Sequence, residues 1–509
     1  MKNQKAGFMS ILVALGGFMF VAQIGAVNPA PDGCYPNFTT AEGCKALQSL
    51  TTGVANTGIG LYSLFGTTSG SFNTAVGAGA LDLNTADNNT AVGVAALLLN
   101  TTGINNTAIG VGALVFNNTA EENTATGAFA MYSNTEGDFN TANGAFAFYF
   151  NTTGERNTAI GDSALYSNIV GSRNTANGNA ALAINTTGSS NTAIGAGALL
   201  SNDASDNTAI GADALSDNTT GDRNTAVGVE ALISNTTGAS NTAVGNETLT
   251  SNTTGNLNVA IGHHALMSNT TDGGNTAIGS DALINNTSGG GGNTAIGDQA
   301  LLAGTTGGLN TSLGFAAGAN ITSASNTICI GADGENVSNS CYIGNIFGAT
   351  SAAGVGVIVN AADKLGTNPS SQRFKEQIKS MTQTSEALFA LKPVTFRYKK
   401  EFDPTATPQF GLVAEEVEKV NPDLIVRDKE GNPYSVRYDT VNAMLLNEFL
   451  KEHKKVQSLE AQLAQHQKEF ESKLSQQEKQ IESLSEGLHK VSAQLEMSKP
   501  APEVAVNNQ

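Results

Sequence analysis

Tryptophan is absent from the 509 residues, aromatic residues make up only 6% and charged residues only 14%. An average globular protein has about 25% charged residues, so the composition argues against the three or four ordinary domains that the length suggests. Hydrophobic residues nevertheless reach 40%, which excludes a disordered chain of low hydrophobicity and high charge. Together with 57 glycines, this composition favours a thin, repetitive β-structure.

Basic residues are scarce in most of the chain. The sequence has 26 Lys and Arg against 44 Asp and Glu, a net charge of −18. Between Lys45 and Lys364 the only basic residues are Arg156, Arg173 and Arg223. Binding to a phosphate backbone requires clustered Lys and Arg. We therefore expect no nucleic-acid partner.

The first residues have the order of segments found in a secretory signal peptide. Lys2 and Lys5 precede an apolar run over residues 8–21, and small residues follow as far as Ala26. This order predicts a signal peptide over residues 1–26 that is removed after Ala26, which leaves no membrane-spanning segment. An uncleaved membrane anchor is the alternative, because the run approaches the length of a short spanning helix. Either way, we expect a secreted or cell-surface protein.

Cysteine is rare, and its four copies form two close pairs, Cys34 with Cys44 and Cys329 with Cys341. Close pairs in an exported protein indicate disulfides. The pairs bracket the repetitive region described next, where each would close a short loop at a terminus. A metal site at the cysteines is the alternative, although no histidine lies near them in the sequence.

A motif of Asn-Thr-Ala-Ile/Val-Gly recurs at a spacing of 17 residues, with occasional slips to 16 or 18. Looser copies start at Asn56 and Asn326. Self-similarity at a short fixed period is the signature of a solenoid. The regular copies begin at Asn73, Asn89, Asn106, Asn123, Asn140, Asn157, Asn174, Asn191, Asn207, Asn224, Asn241, Asn258, Asn275, Asn293 and Asn310.

A second apolar column follows each of these asparagines by eight residues. Seventeen residues are too few for a helical pair but suffice for one coil of a parallel β-solenoid, with two short strands joined by turns. Seventeen coils at about 4.8 Å each would extend about 80 Å. The column consists of Leu81, Leu97, Leu114, Met131, Phe148, Leu165, Leu182, Leu199, Leu215 and Leu232.

The residues of one coil predict its internal arrangement. In the strand, Thr and Ile would share one face and Ala the other. Turns such as 185–188, Asn-Thr-Thr-Gly, supply residues that tolerate a positive φ. The repeated Asn would stack into a side-chain amide ladder. The many Asn-x-Thr triplets match the acceptor pattern for N-glycosylation, but because they follow the coil period we interpret them as structural positions.

The repeat resembles the head repeats of trimeric bacterial adhesins, whose Asn/Ser-x-Ala-Ile-Gly motif builds a parallel β-roll shared by three chains. The period of 17 is longer than is usual in those heads. A thin coil cannot bury a large core alone. We therefore expect three chains to bury the leucine column against one another.

The composition changes abruptly near Asp363, where Lys returns and the 17-residue period stops. Three segments follow in order: Ser-Ser-Gln-Arg-Phe-Lys-Glu-Gln-Ile from Ser370, Ala-Leu-Lys-Pro-Val-Thr-Phe-Arg-Tyr from Ala390, and Phe-Gly-Leu-Val-Ala-Glu-Glu-Val from Phe410. Val-Arg-Tyr-Asp from Val436 precedes a helix. In this order and spacing, about residues 369–460 resemble the intramolecular chaperone domain of phage endosialidases and tail spikes.

The resemblance implies a domain that trimerises, drives the folding of the preceding β-structured fibre and then cuts itself off. The scissile bond would join Pro369 to Ser370, with Ser370 as nucleophile and Lys375 as its base. A serine hydroxyl needs such a base, and serine–lysine pairs are a known variant of the triad. Ser371 is an alternative nucleophile in another register, and Gln409 stands near a place where self-processing members often carry histidine. A chaperone that never cuts is the other alternative.

The last helix has the spacing of a coiled coil. Apolar residues alternate by three and four, and a four-residue shift after Phe470 is typical of a stutter. A single amphipathic helix that packs on its own domain is the alternative. The predicted seam consists of Val456, Leu459, Leu463, His466, Phe470, Leu474, Gln477, Ile481, Leu484, Leu488, Val491 and Leu495.

The sequence thus predicts a mainly β protein that carries a small α+β chaperone domain and a coiled coil. It would be a secreted homotrimeric surface fibre whose only chemistry is one self-cleavage, with a cell-surface or glycan ligand. A phage-tail-like fibre that binds or hydrolyses glycans is the alternative, and ice or crystal binding through the Thr column is a third. We expect no cofactor and no metal, and the His263–His264 pair receives no role. The predicted divisions are residues 1–26 (signal peptide), 27–55 (N-terminal cap segment), 56–348 (solenoid), 349–368 (linker), 369–455 (chaperone and peptidase), 456–497 (coiled coil) and 498–509 (disordered tail).

Overall fold

A computed structural model describes residues 36–349, 354–360 and 362–498. The predicted signal peptide, the disordered tail and Cys34 lie outside the described residues. The chain divides into two compact units, one ending at Ala349 and one comprising the residues that follow. No helix in the described ranges is both long enough and apolar enough to cross a membrane.

The first unit is a parallel β-solenoid, as the repeat predicts. Each coil contributes one three-residue strand, which pairs in parallel with the strands of the coils before and after it. Because the pairing places equivalent residues opposite each other, one uninterrupted sheet runs through the unit. Its strands are β1 Thr40–Glu42, β2 Thr57–Ile59, β3 Thr74–Val76, β4 Thr90–Val92, β5 Thr107–Ile109, β6 Thr124–Thr126, β7 Thr141–Asn143, β8 Thr158–Ile160, β9 Thr175–Asn177, β10 Thr192–Ile194, β11 Thr208–Ile210, β12 Thr225–Val227, β13 Thr242–Val244, β14 Val259–Ile261, β15 Thr276–Ile278, β16 Thr294–Ile296, β17 Thr311–Leu313, β18 Ile328–Ile330 and β19 Cys341–Ile343.

The sheet extends beyond the regular motif at both ends. Strand β1 pairs with β2 although it precedes Asn56, since the segment Thr-Ala-Glu-Gly at residues 40–43 keeps most of the motif. In the coil of the looser copy at Asn326, Thr327 takes the buried asparagine position, and both its backbone N–H and its hydroxyl donate to Oδ1 of Asn310. Asn326 itself therefore lies outside the asparagine column.

The opposite side of each coil is a run of turns and not the second strand that we expected from the sequence. The leucine-column residues have a left-handed backbone, for example Leu97 at φ 53° and Leu165 at φ 52°. A left-handed residue other than glycine costs roughly 1–2 kcal/mol. Stacking offsets part of this cost, because Leu97 donates its N–H to the carbonyl of Ala113 in the next coil and is fully buried.

The core of the solenoid lies inside a single chain. In β8, Ala159 points inward and is buried, whereas Thr158 and Ile160 point outward, which confirms the predicted alternation. The leucine-column residue Leu165 is also fully buried within its own chain. The expectation that three chains bury the leucine column against one another is therefore wrong. The reason is that the inward strand residues are small, mostly Ala, and pack with the leucine column in one buried cluster inside the chain.

Asparagine ladders fill the rest of the interior. The predicted ladder exists: Asn157, for example, donates its backbone N–H to Oδ1 of Asn140 over 2.8 Å. A second ladder, which the sequence reading assigned only to turns, includes Asn134 and Asn151, with Nδ2 of Asn151 2.7 Å from Oδ1 of Asn134. Asn151 and Asn185 are the first residues of Asn-x-Thr triplets and both are buried. Their burial supports a structural reading of those triplets.

The second unit is a small mixed α/β assembly followed by a long helix. The unit contains three antiparallel hairpins. The first consists of β20 Val357–Val359 and β21 Leu365–Thr367, the second of β22 Val394–Phe396 and β23 Gln409–Gly411, and the third of β24 Ile425–Arg427 and β25 Pro433–Val436. Helix α1 spans Ala414–Val420 and helix α2 spans Tyr438–Met497. The 3₁₀ helices of this unit are Gln372–Phe374, Thr384–Ala390 and Pro422–Leu424. A further 3₁₀ helix, Pro36–Phe38, precedes the solenoid.

Candidate functional site

The predicted scissile bond lies in an exposed connection within the second unit. Pro369 and Ser370 follow strand β21 in a segment without regular structure, and the 3₁₀ helix Gln372–Phe374 comes next. Lys375 ends that helix by donating its backbone N–H to the carbonyl of Gln372 over 3.0 Å. Since Pro369, Ser370 and Lys375 are all exposed, the bond and both predicted catalytic side chains are accessible from solvent.

The single chain does not assemble a serine–lysine dyad. Within the described ranges, neither the Ser370 hydroxyl nor the Lys375 ammonium group forms a hydrogen bond or an ion pair. A lysine becomes a general base when burial favours its neutral amine, and Lys375 has no such cover. Ser371, the alternative nucleophile, precedes the 3₁₀ helix without capping it through its side chain.

Two polar contacts hold the segment that leads to the scissile bond. Nδ2 of Asn368 donates to Oδ2 of Asp439, at the start of α2, over 3.3 Å. Asp363, in the turn of the β20–β21 hairpin, forms a 2.5 Å ion pair with Lys429, which raises the pKa of Lys429. Both pairs are exposed, and each of them is worth little energy on its own. Both contacts connect the segment before Ser370 to later parts of the same unit.

A buried polar cluster, which the sequence reading did not identify, lies where α2 meets the 3₁₀ helix Thr384–Ala390. Ser385 is fully buried, donates its hydroxyl to Oε1 of Glu448 over 2.5 Å and accepts from Nδ2 of Asn447 over 2.6 Å. Lys451 lies 2.7 Å from the same Glu448 oxygen. The hydrogen bonds from Lys451 and Ser385 hold the pKa of Glu448 below its ordinary value. The spacing of Glu448 and Lys451, three residues apart on a helix, is the only sequence signal of this cluster.

Gln409 and Phe410 occupy the second strand of the β22–β23 hairpin. Gln409 pairs with Phe396, whereas the Phe410 ring is 83% exposed. The Tyr438 hydroxyl accepts the backbone N–H of Leu412 over 3.1 Å, which ties the end of this hairpin to the first residue of α2. Apolar side chains at this hairpin thus face solvent in the isolated chain.

The described cysteines, Cys44, Cys329 and Cys341, carry free thiols in the structure. Cys329 points into the solenoid, where burial raises the pKa of its thiol, whereas Cys341 lies on the outer face of the next strand. The Cys329–Cys341 bond stays a prediction, as does the Cys34–Cys44 bond.

The outer face of the solenoid sheet carries a regular array of Thr and Ile or Val. The first and third residues of a strand point outward, so that Thr192 and Ile194 stand beside Thr208 and Ile210 of the next coil. The Ile side chains are about two-fifths exposed, for example Ile109 at 43%. This face is a regular surface that the shaft offers to a partner.

Comparison with known proteins supports the reading of the second unit. Residues 370–426 match the family model described as the chaperone of endosialidase. The match begins at Ser370, the residue predicted to follow the scissile bond. No curated protein and no solved structure matches the chain significantly. The expected resemblance of the C-terminal part to the intramolecular chaperone is thus confirmed, and the solenoid before it is established by the structure.

Proposed function

We propose that this chain is a secreted, homotrimeric surface fibre whose C-terminal unit gathers three chains, directs the folding of the solenoid shaft and then cuts the bond between Pro369 and Ser370. The observation that carries the proposal is the match to the chaperone of endosialidase, which begins at Ser370 directly behind a β-solenoid. A shaft followed by an assembly module is the organisation of a tail-fibre-like protein.

The long helix α2 supports the association of several chains. From residue 452 to its end, every residue of this helix is exposed in the part of the chain that the structure describes, and its predicted seam faces solvent. Leu463 is 60% exposed, Phe470 68% and Leu484 73%. An isolated helix with such a stripe is stabilised by a partner that covers it, and heptad spacing selects identical helices as that partner.

The outer Ile/Val column supports lateral contact between the shafts. Because the leucine column is already buried within each chain, the outward residues such as Ile160, Ile194 and Ile210 are among the apolar groups left for neighbours to cover. Neighbouring chains can meet along this column, since the coils stack in register and most of them present Ile or Val at its position. Polar residues interrupt the column at β6, β7 and β9. The homotrimer therefore rests on a different column from the one that the sequence suggested.

Self-cleavage would depend on this assembly. Lys375 is exposed in one chain, and so are the neighbouring Phe374 and Ile378, at 58% and 62%. A neighbouring chain that covers these apolar residues would also remove water from Lys375 and favour the neutral amine that the chemistry needs. The Ser370 hydroxyl would then attack the Pro369 carbonyl carbon and pass its proton to Lys375, which would return it to the Ser370 nitrogen as the peptide bond breaks and an ester forms. Water would hydrolyse this ester, so that one fragment ends in the Pro369 carboxylate and the other begins with the Ser370 amine.

The test is expression of the chain from residue 27 followed by intact mass measurement and light scattering. We expect trimers and two fragments that meet at the Pro369–Ser370 bond. Ser370→Ala and Lys375→Met should give only full-length trimers, whereas the control Ser380→Ala should be cut. Cleavage that persists in Ser370→Ala but stops in Ser371→Ala would move the nucleophile by one residue. Uncut wild-type trimers would reduce the function to that of a chaperone.

A shaft that binds glycans is a second candidate, favoured by one surface feature. Tyr132, Tyr149 and Tyr166 stack along three successive coils with ring centroids 5.1 and 5.4 Å apart, and Phe129 stacks on Phe146 beside them. Tyr132 is buried, whereas Tyr149 and Tyr166 are half-buried, so that part of this stack is open to a ligand with one apolar face. Loss of glycan-array binding in Phe146→Ala, with binding retained in Phe72→Ala, would support this candidate.

A further inference from the structure

The His263–His264 pair, which the sequence reading left without a role, belongs to a cluster of metal-ligating side chains. One nitrogen of each histidine and one carboxylate oxygen of Asp281 all lie within 4.8 Å of one another. Nδ1 of His264 is 3.3 Å from Oδ1 of Asp281. Ligands held about 2.0–2.1 Å from a tetrahedral zinc ion are themselves about 3.4 Å apart. The distance between Nδ1 of His264 and Oδ1 of Asp281 is therefore already close to the distance that a bound zinc ion would impose on them.

The second nitrogen of His264 has the partner that metal-binding histidines have. Nε2 lies 3.3 Å from Oε2 of Glu247, in the preceding coil. A ligating histidine usually gives its other ring N–H to a carboxylate, which fixes the ring and makes the ligating nitrogen more basic. Glu247, His264 and Asp281 thus form a carboxylate–imidazole–carboxylate row across three coils.

The solenoid backbone positions these side chains. His264 donates its N–H to the carbonyl of Asn246 over 3.2 Å, and Asp281 donates its own to the carbonyl of His263 over 3.0 Å. The two imidazole rings lie against each other with centroids 3.5 Å apart. Side chains on such a stacked scaffold need little reorganisation to bind an ion.

We propose that His263, His264 through Nδ1, and Asp281 bind one divalent transition-metal ion of the zinc class, with Glu247 as the orienting carboxylate. Two imidazoles and a carboxylate suit Zn²⁺ and its neighbours, whereas Ca²⁺ and Mg²⁺ prefer oxygen ligands alone. Three protein ligands leave one tetrahedral position for water or for a group from outside the chain. Bound metal would join the coils of His264 and Asp281 at the surface of the shaft.

The experiment is calorimetric titration of Zn²⁺ into the full-length, untagged chain with its thiols alkylated, at neutral pH. We expect one saturable site per chain that millimolar Ca²⁺ does not displace. His264→Gln and Asp281→Asn should abolish it, and Glu247→Gln should weaken it about 10- to 100-fold. Glu230→Gln, one coil before Glu247 in the same column, is the matched control and should bind as wild type.

Hydrogen exchange distinguishes a lost site from a misfolded variant. Zn²⁺ should slow exchange in residues 258–285 of the wild type and of Glu230→Gln, and leave His264→Gln unchanged. Three results would overturn the proposal: no saturable binding by the wild type, equal displacement by Ca²⁺, or full binding by a His263→Asn, His264→Gln double variant. Because none of these readouts depends on trimerisation or self-cleavage, the site stands or falls independently of the proposed function.

Discussion

At the scale of single residues, the solenoid depends on side chains that replace backbone hydrogen bonds. Asn157 accepts the backbone N–H of Asn174 at Oδ1 over 2.9 Å, and its Nδ2 donates to the carbonyl of Gly171 over 2.9 Å. The buried amide therefore satisfies groups of the next coil that no backbone partner reaches. Such groups are expensive to leave unpaired.

Replacing one ladder residue should loosen the coils around it. In Asn157→Ala the buried N–H of Asn174 loses its acceptor, which costs about 1–3 kcal/mol. Hydrogen exchange should become faster in residues 140–190, and distant coils should be unaffected. Asn179→Ala, at an exposed position, is the control and should exchange as wild type. Equal rates in the two variants would mean that the ladder contributes no stability.

One turn of the shaft should respond to acid. Burial raises the pKa of Asp203, but hydrogen bonds from Thr187 and Thr186 outweigh it and hold the pKa below its ordinary value. A carboxylate with a lowered pKa stabilises the folded coil above its unfolded pKa of about 3.9, and this contribution disappears as the pH falls through the folded value.

We therefore expect the segment 186–206 to lose protection below about pH 4, as measured by hydrogen exchange corrected for intrinsic rates. In Asp203→Asn the acceptor oxygen remains but the charge does not, so that protection should be lower at neutral pH and should not change with acid. A wild-type segment whose protection is the same at pH 3 and pH 6 would contradict this assignment.

The sequence anticipates the residues of the coil better than their conformations. Spacing alone locates the buried columns that contain Leu97 and Asn157, because burial repeats with the chain period. The left-handed backbone of Leu97 leaves no such signal, since leucine is common in strands and the conformation comes from stacking on the next coil. For the same reason Asn151 could be read as part of a turn although its amide belongs to a ladder.

At the scale of elements, the helix α2 is the part whose structure in one chain is least self-sufficient. Its boundaries, Tyr438–Met497, extend the predicted coiled-coil segment towards the N-terminus. Only the first turns pack on the unit, through Met444 and Glu448, which are buried. The rest of the helix exposes both its apolar and its polar face to solvent in one chain. This exposure is unfavourable for a single helix, whereas a partner that covers the apolar face would stabilise the helix.

Charges placed in the seam should separate the chains. We expect the double variant Leu463→Glu, Leu484→Glu, made in the Ser370→Ala background so that the units stay joined, to shift from three chains to one in light scattering. Three carboxylates at each level of a buried seam repel one another and lose their hydration. Ser472→Glu, off the seam, should remain trimeric. A double variant that remains trimeric would show that residues outside the seam hold the chains together.

The predicted cleavage site illustrates what the sequence alone could supply at this scale. Ser370 and Lys375 are ordinary surface residues by spacing and exposure, and only the resemblance to the chaperone of endosialidase singles them out. The chemistry proposed for them requires burial, which one chain does not provide. A cluster such as Ser385 with Glu448 is the converse case, since folding of a single chain creates it and no motif announces it.

At the scale of the whole molecule, the proposed function assigns the shaft and its assembly to different units. The shaft contains long-range pairings between coils that are similar in sequence, so that a slip by one coil loses little energy and correct register needs outside help. A C-terminal unit that first gathers three chains would supply a common starting point for the coils.

Deleting the C-terminal unit from the gene should therefore impair folding of the shaft more than cleaving the unit off after the shaft has assembled. We expect residues 27–369, expressed alone, to give aggregated or single chains, whereas the same residues released by self-cleavage stay trimeric in light scattering and resist protease. Circular dichroism provides the comparison of β-structure between the two preparations. Identical trimers from both routes would show that the C-terminal unit is dispensable for folding.

Each coil hydrogen-bonds only to the coil before it and the coil after it. Duplication or loss of a 17-residue stretch in the gene would therefore reproduce existing interfaces and create no new ones. Such mutations would then change the length of the solenoid in steps of about 4.8 Å per coil, while its surface chemistry stays constant. Only the coils near the two ends, where Thr39, Thr327 and Ser340 take the position of the usual asparagine, resist such copying, so variation in length among related proteins should be confined to the interior.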